Sequence, residues 1–117
     1  MASRLVEKYY RPVIMISIRD GMGKASCRSI PAFDMYDALN QCSDLLVQFG
    51  GHRQAAGLSI LPDRIDELRT KLTAIANHCL TEDDYIPLLT VDCLVALQEM
   101  NMDFLNQLEC LKPYGMG

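Results

Sequence analysis

The stretch PVIMISIRDGMGKASCRSI, Pro12 to Ile30, constrains the fold more than any other part of the chain. Val13 to Ile18 form an apolar run rich in β-formers, suited to a strand covered on both faces. Asp20, Gly21 and Gly23 follow with turn chemistry, since both glycines can take positive φ, and the chain then returns through ASCRSI. The segment predicts a β-hairpin and so commits the domain to a sheet. Pro12 sets where that sheet begins. The residue before a proline avoids helical geometry, so the helical spacing of Leu5, Val6 and Tyr9 ends there, and residues 1–11 are expected to be the tail of a connecting helix.

After the hairpin the period changes. Tyr36, Leu39, Cys42, Leu46 and Phe49 fall on one helical stripe, with Asp34 placed as its N-cap and Gly50 as its left-handed stop. AAGLSIL is a short strand. Pro62, with Asp63, Asp66 and Glu67 in the first turn, opens a second helix whose inner stripe is Ile65, Leu68, Leu72, Ile75 and Cys79. TEDDYIP is a polar connector, LLTVDCLVAL reads as a last strand and NMDFLNQLECL as a last helix. The order, roughly ββαβαβα, predicts the α/β (α+β) class: one domain over 1–117 with a mixed sheet of about four to five strands and packed helices. Residues 112–117, KPYGMG, are expected to start a linker to a following domain.

Half the residues are apolar, yet no apolar run approaches the roughly 20 residues of a bilayer span, and the amino terminus has no signal pattern. A soluble, cytoplasmic protein without a membrane partner is expected. Five cysteines, widely spaced and odd in number, form no Cys-x-x-Cys pair and read as reduced thiols, several of them buried. The net charge of −4 argues against nucleic-acid binding by bulk attraction. Its distribution is uneven: residues 1–53 hold seven Lys/Arg against five Asp/Glu, and residues 54–117 four against ten.

GMGK does not make a phosphate loop, because Ile18 stands where the first glycine of that motif belongs and Ala25 follows Lys24. A hairpin turn accounts for it, with Lys24 left to point a charge at a ligand. His78 suits the end of a helix, and Glu82, Asp83 and Asp84 a solvated turn. The segment FGGHRQAAGLSI is different. One helix cap explains one glycine, but Gly50 and Gly51, then Ala55, Ala56 and Gly57, remove bulk on both sides of His52 and Arg53. Such a run lets a backbone or a ligand approach closely, and its N–H groups can form an anion-binding nest beside one switchable and one permanent charge. A structural turn and a phosphate-binding surface both remain open on these residues alone.

FGGHRQAAGLSI resembles the Gly-Gly-His-x-x-Ala-Ala-Gly signature of the domain that follows the catalytic core in the DHH phosphoesterase superfamily. ASRLVEKYYRPVIMIS, SCRSIPAFDMYDAL and LECLKPYGMG are similar to segments of the RecJ family of bacterial single-strand-specific DNA exonucleases, so the resemblance covers essentially the whole chain. It implies an accessory domain that binds single-stranded DNA in repair and recombination, beside a DHH core and a barrel domain of the same parent. Mn²⁺ or Mg²⁺ would be held by that core, since no Asp-His-His occurs here and none of the family's metal ligands has a position in this chain. By the family motif Gly50, Gly51 and His52 contact the phosphate to be cut, with His52 in the catalytic role, and Arg28 and Ser29 hold the neighbouring backbone. Arg53, at a variable position, and Ala55, Ala56 and Gly57 complete the implied substrate-binding set. The alternatives are the matching domain of a DHH oligoribonuclease or cyclic-dinucleotide phosphodiesterase, or an RNA-binding module like that of alanyl-tRNA synthetases.

Overall fold

Asp20 and Gly21 both take positive φ, 50° and 73°, and turn the chain between β1 (Val13–Arg19) and β2 (Met22–Arg28). A two-residue loop of this kind carries a twist that matches the strands on either side. The structure, a computed structural model, describes residues 1–113 and divides the chain into two units, Met1–Pro87 and Leu88–Gly117. In the first unit α1 (Ala2–Tyr9) closes at Tyr10 in left-handed geometry, two residues before Pro12, and packs on β1 and β2. Gly23 lies inside β2 rather than in the turn. A Cβ there would sit 3.1 Å from Ile60 Cγ2 and 3.2 Å from Ile16 Cγ2, so this glycine serves close packing across the sheet.

The helix expected from Asp34 to Gly50 is much shorter. α2 spans Met35–Asn40, with the Asp34 carboxylate accepting the Asp37 N–H at 3.0 Å, and a single 3-10 turn at Ser43–Leu45 follows. β3 (Leu46–His52) and β4 (Ala55–Ile60) come next, so Gly50 stops no helix and lies within a strand. The physical reason is a non-local one: Leu46 to His52 pair with β4, and that ladder overrides the helical spacing of Leu39, Cys42, Leu46 and Phe49. The class is the expected one, with four strands and helices packed on them. All pairings are antiparallel, however, in the order β1-β2-β4-β3, where a mixed sheet was predicted.

α3 (Ile65–Cys79) follows a 3-10 turn at Pro62–Arg64. Leu68 is buried and Ile65, Leu72 and Ile75 pack on the core, whereas Cys79, at the last position of the helix, is exposed. The core itself gathers Cys27, Ile30, Phe33, Met35, Leu39, Cys42, Leu58, Ile60 and Leu68 with smaller neighbours. In the second unit LLTVDCLVAL forms no strand among the described residues. Its last residue opens a 3-10 turn, Leu97–Glu99, and Leu88, Leu89 and Leu94 are exposed, because an apolar run becomes a strand only where a neighbour offers a ladder. α4 (Met102–Glu109) forms as expected, its N-terminus capped by Asn101, which accepts the Phe104 N–H at 2.9 Å. Of the segment 112–117, residues 114–117 lie outside the described residues. No helix among the described residues is long and apolar enough to cross a membrane.

Candidate functional site

The small residues around His52 separate into two sets once the strands are in place. Gly51 has φ 143°, and a Cβ on it would lie 2.3 Å from the Ala55 carbonyl oxygen and 2.5 Å from Ala56 Cα. Only glycine lets β3 run this close to β4 at the head of the two-residue turn Arg53–Gln54. Ala56 belongs with it: it is 7% exposed and packs in the core, so its side chain is not presented to a ligand as the sequence reading placed it. Gly50 is the opposite case, because a Cβ there would meet nothing within 4 Å. Gly57 is exposed as well. The expected nest in a helix-to-strand turn is therefore a strand at the sheet edge, with Gly50 and Gly57 paired across it.

Register sorts the rest. Val13, Arg28, Ala55 and His52 face one another across the four strands, as do Met15, Ser26, Gly57 and Gly50, and then Ser17, Lys24, Ser59 and Gln48. Successive residues of a strand point to opposite faces, so these three rows share one face, while Cys27, Ala56, Leu58 and Ile60 point to the core. On the outer rows Ser17, Lys24, Ser26, Gln48, Gly50, His52 and Gly57 are exposed. Arg28 and His52 stand two strands apart, roughly 10 Å between backbones, with only the methyl group of Ala55 between them.

Backbone hydrogen bonds bring the two halves of the site together. The Ser29 N–H donates to the Gln54 carbonyl at 2.9 Å, and the Met35 N–H donates to the Arg53 carbonyl at 2.8 Å, which also satisfies an otherwise unpaired donor at the start of α2. Arg53 Nη2 donates to the Pro31 carbonyl at 3.1 Å. Ser29 Oγ gives its proton to the Phe33 carbonyl at 2.8 Å, so toward a ligand it has only lone pairs to offer. Arg28 Nη1 donates to the Cys27 carbonyl at 2.8 Å and keeps its remaining N–H donors. His52 Nδ1 accepts the Gln54 N–H at 3.4 Å, an arrangement that leaves the proton of a neutral ring on Nε2. Gln54 is the residue the sequence reading missed. It acts through its backbone, and no side-chain pattern announces that.

Cys27, next to Arg28, is no nucleophile. Burial pushes its thiol up to about 11, outweighing the opposing pull of the Arg28 charge. Among the described residues no three His, Cys, Asp or Glu side chains come together as a metal site, so the residues present do not fit the metal ions the resemblance implies.

Residues 1–78 match the DHHA1 domain model. The chain belongs to the DHHA1 family. It is 37% identical over 118 residues to the single-stranded-DNA-specific exonuclease RecJ of Bacillus subtilis (strain 168), which covers 99% of this chain and 15% of that protein. The RecJ of Dickeya dadantii (strain 3937) is 33% identical over 122 residues, 100% of this chain and 21% of that protein. Among solved structures, RecJ from Thermus thermophilus in complex with Mg²⁺ superposes with a TM-score of 0.80 at 27% identity, over 97% of this chain and 17% of that one. The same protein in complex with Mn²⁺ gives 0.81, over 97% and 16%. The DHHA1 chain described here thus spans only about a fifth or less of the length of these relatives.

Proposed function

We propose that this DHHA1 domain is the substrate-binding accessory domain of a RecJ-type single-stranded-DNA exonuclease, and that the row Arg28–Ala55–His52 receives the DNA backbone at the phosphate to be cut. The observation that carries the reading is the pairing of two cationic or donor side chains, half-buried Arg28 and exposed His52, on one row of the outer face with an adjoining row, Ser26–Gly57–Gly50, that has almost no side-chain bulk. A strand of nucleic acid can lie against such a surface with its phosphates in reach of donors, and the Ser29–Gln54 and Met35–Arg53 backbone hydrogen bonds tie together the chain segments next to those donors, which supports the reading.

His52 is the catalytic residue in this proposal. Its Nε2–H donates to a non-bridging oxygen as negative charge grows there, which is worth most when the donor is already in place. Arg28 offers a planar fork of donors to the neighbouring phosphate, a geometry that lysine lacks. Arg53 adds a charge at the hairpin tip, Ser29 acts through its position and lone pairs, and Gly50, Ala55 and Gly57 keep the surface low. Gly51 and Ala56 act by letting the hairpin close. The Mn²⁺ or Mg²⁺ that activates water in such an enzyme falls to a DHH core elsewhere in the parent, alongside a barrel domain, and no step here is routed through it.

The test is His52→Ala in the full-length parent. Single-turnover cleavage of single-stranded DNA is expected to fall by about 10², the scale of one lost preorganised donor, while the melting temperature stays within a degree or two of the unmodified enzyme. A large loss of stability with a normal rate per folded molecule would leave the motif as a hairpin turn and nothing more.

A further inference from the structure

Lys24 and Arg19 take no part in the contacts described so far. Lys24 lies on the same face as Arg28 and Ser26, four and two residues along β2, and among the described residues it forms no ion pair. It lines an open depression of about 510 Å³ at the β1–β2 hairpin, together with Ser17, Arg19, Asp20 and Met22. Charge singles out this part of the molecule. The four strands and their two hairpin turns hold Arg19, Lys24, Arg28 and Arg53 against the one acid Asp20, in a chain whose net charge is −4.

We infer that the depression at Ser17, Arg19 and Lys24 is a second phosphate subsite, which takes the backbone of the same single strand beyond the nucleotide held at Arg28 and His52. The inference rests on the function proposed above and extends it from one phosphate to a track. From Arg28 to Lys24 the strand advances about 13 Å, against a rise of 3.4 Å per nucleotide along one duplex strand, so the two subsites hold phosphates on the order of two to four nucleotides apart. Between them lies the row Ser26–Gly57–Gly50, where the absence of bulk leaves the path clear. Asp20, at the far rim of the depression, disfavours a strand running on past the hairpin, so the track ends there.

The experiment uses the full-length parent without divalent metal. Fluorescence anisotropy follows the binding of labelled oligothymidylates, one of about three and one of about twenty nucleotides, across a salt series. For the Arg19→Ala/Lys24→Ala double variant the affinity for the longer strand is expected to drop about tenfold and its salt slope to decrease by about 1 to 1.5, as for two lost phosphate contacts. Affinity for the short strand stays within about twofold, and Lys24→Arg restores the longer strand's slope. Arg69→Ala, whose side chain stands exposed on α3, serves as the control that leaves both strands unaffected. An unchanged slope, or an equal loss on both lengths, overturns the second subsite. If His52→Ala still lowers the cleavage rate in that case, the proposed function stands without the track, and if neither variant has an effect both readings fall.

Discussion

Gly50 and Gly51 are neighbours in one motif, and the structure assigns them opposite tolerances. An alanine at 51 keeps φ near 143°, which costs an L residue about 1 to 3 kcal/mol, and it drives a methyl group to 2.3 Å from the Ala55 carbonyl oxygen. Relieving that overlap shifts backbone on both strands, at a further cost of about 1 to 3 kcal/mol. The sum is about 2 to 6 kcal/mol. In a unit of this size a mid-range value of about 4 kcal/mol lowers the melting temperature by roughly 15 to 30 °C. Gly50→Ala meets nothing within 4 Å and sits at ordinary φ, so its effect stays within about 0.5 kcal/mol. Thermal and urea unfolding of the two variants side by side measure the difference. Equal midpoints for Gly50→Ala and Gly51→Ala would refute the assignment of Gly51 to hairpin closure.

Thiol titration with an aromatic disulfide at mildly alkaline pH is expected to modify Cys79, Cys93 and Cys110 quickly and to reach buried Cys27 and Cys42 only in denaturant; fast loss of all five thiols from the folded chain contradicts the burial described. Lys71 Nζ, hydrogen-bonded to Asp44 at 2.9 Å, holds the Asp44 carboxyl below its ordinary value. A lowered folded pKa stabilises above the ordinary carboxylate range and is lost as pH falls through the folded value, so Asp44→Asn flattens the acid limb of urea midpoints below about pH 4, an effect that high salt reduces. The 117-residue chain alone, supplied with Mn²⁺ or Mg²⁺, is expected to leave single-stranded DNA intact; digestion that disappears on mutating residues of this chain would overturn this, since the described residues form no metal-binding cluster.

Where local chemistry decides the geometry, the sequence was readable. Pro12 marked the end of α1, Asp20–Gly21 the hairpin, Asp34 the cap of α2 and Pro62 the start of the next helical segment, each by a constraint acting over a few residues. Residues 41–52 were misread because the spacing of Leu39, Cys42, Leu46 and Phe49 fits a helix, while Leu46 to His52 take their conformation from pairing with β4. Val47 and Phe49, with Gly50 and Gly51 after them, carry the strand signal there, since a β-branched and an aromatic residue before two glycines disfavour a continued helix. LLTVDCLVAL failed in the other direction, a strand-like composition with no ladder. Of the site, the residue types of the glycine-histidine motif were legible. The division between Gly51 and Ala56, which hold the hairpin, and Gly50 and Gly57, which open the surface, depends on register and could not be read before the strands were aligned.

Hairpin tips are usually the places where a chain accepts extra residues, because an exposed turn can lengthen without disturbing what lies beneath it. The Arg53–Gln54 tip is closed to that kind of change. Both of its carbonyl groups are acceptors for other segments, Gln54 for Ser29 and Arg53 for Met35, so one inserted residue slides both out of reach and releases the end of β2 and the first turn of α2 together. Length variation in relatives of this domain should therefore collect at Asp20–Gly21, whose turn no distant segment among the described residues grips through the backbone, and leave the loop beside His52 at two residues.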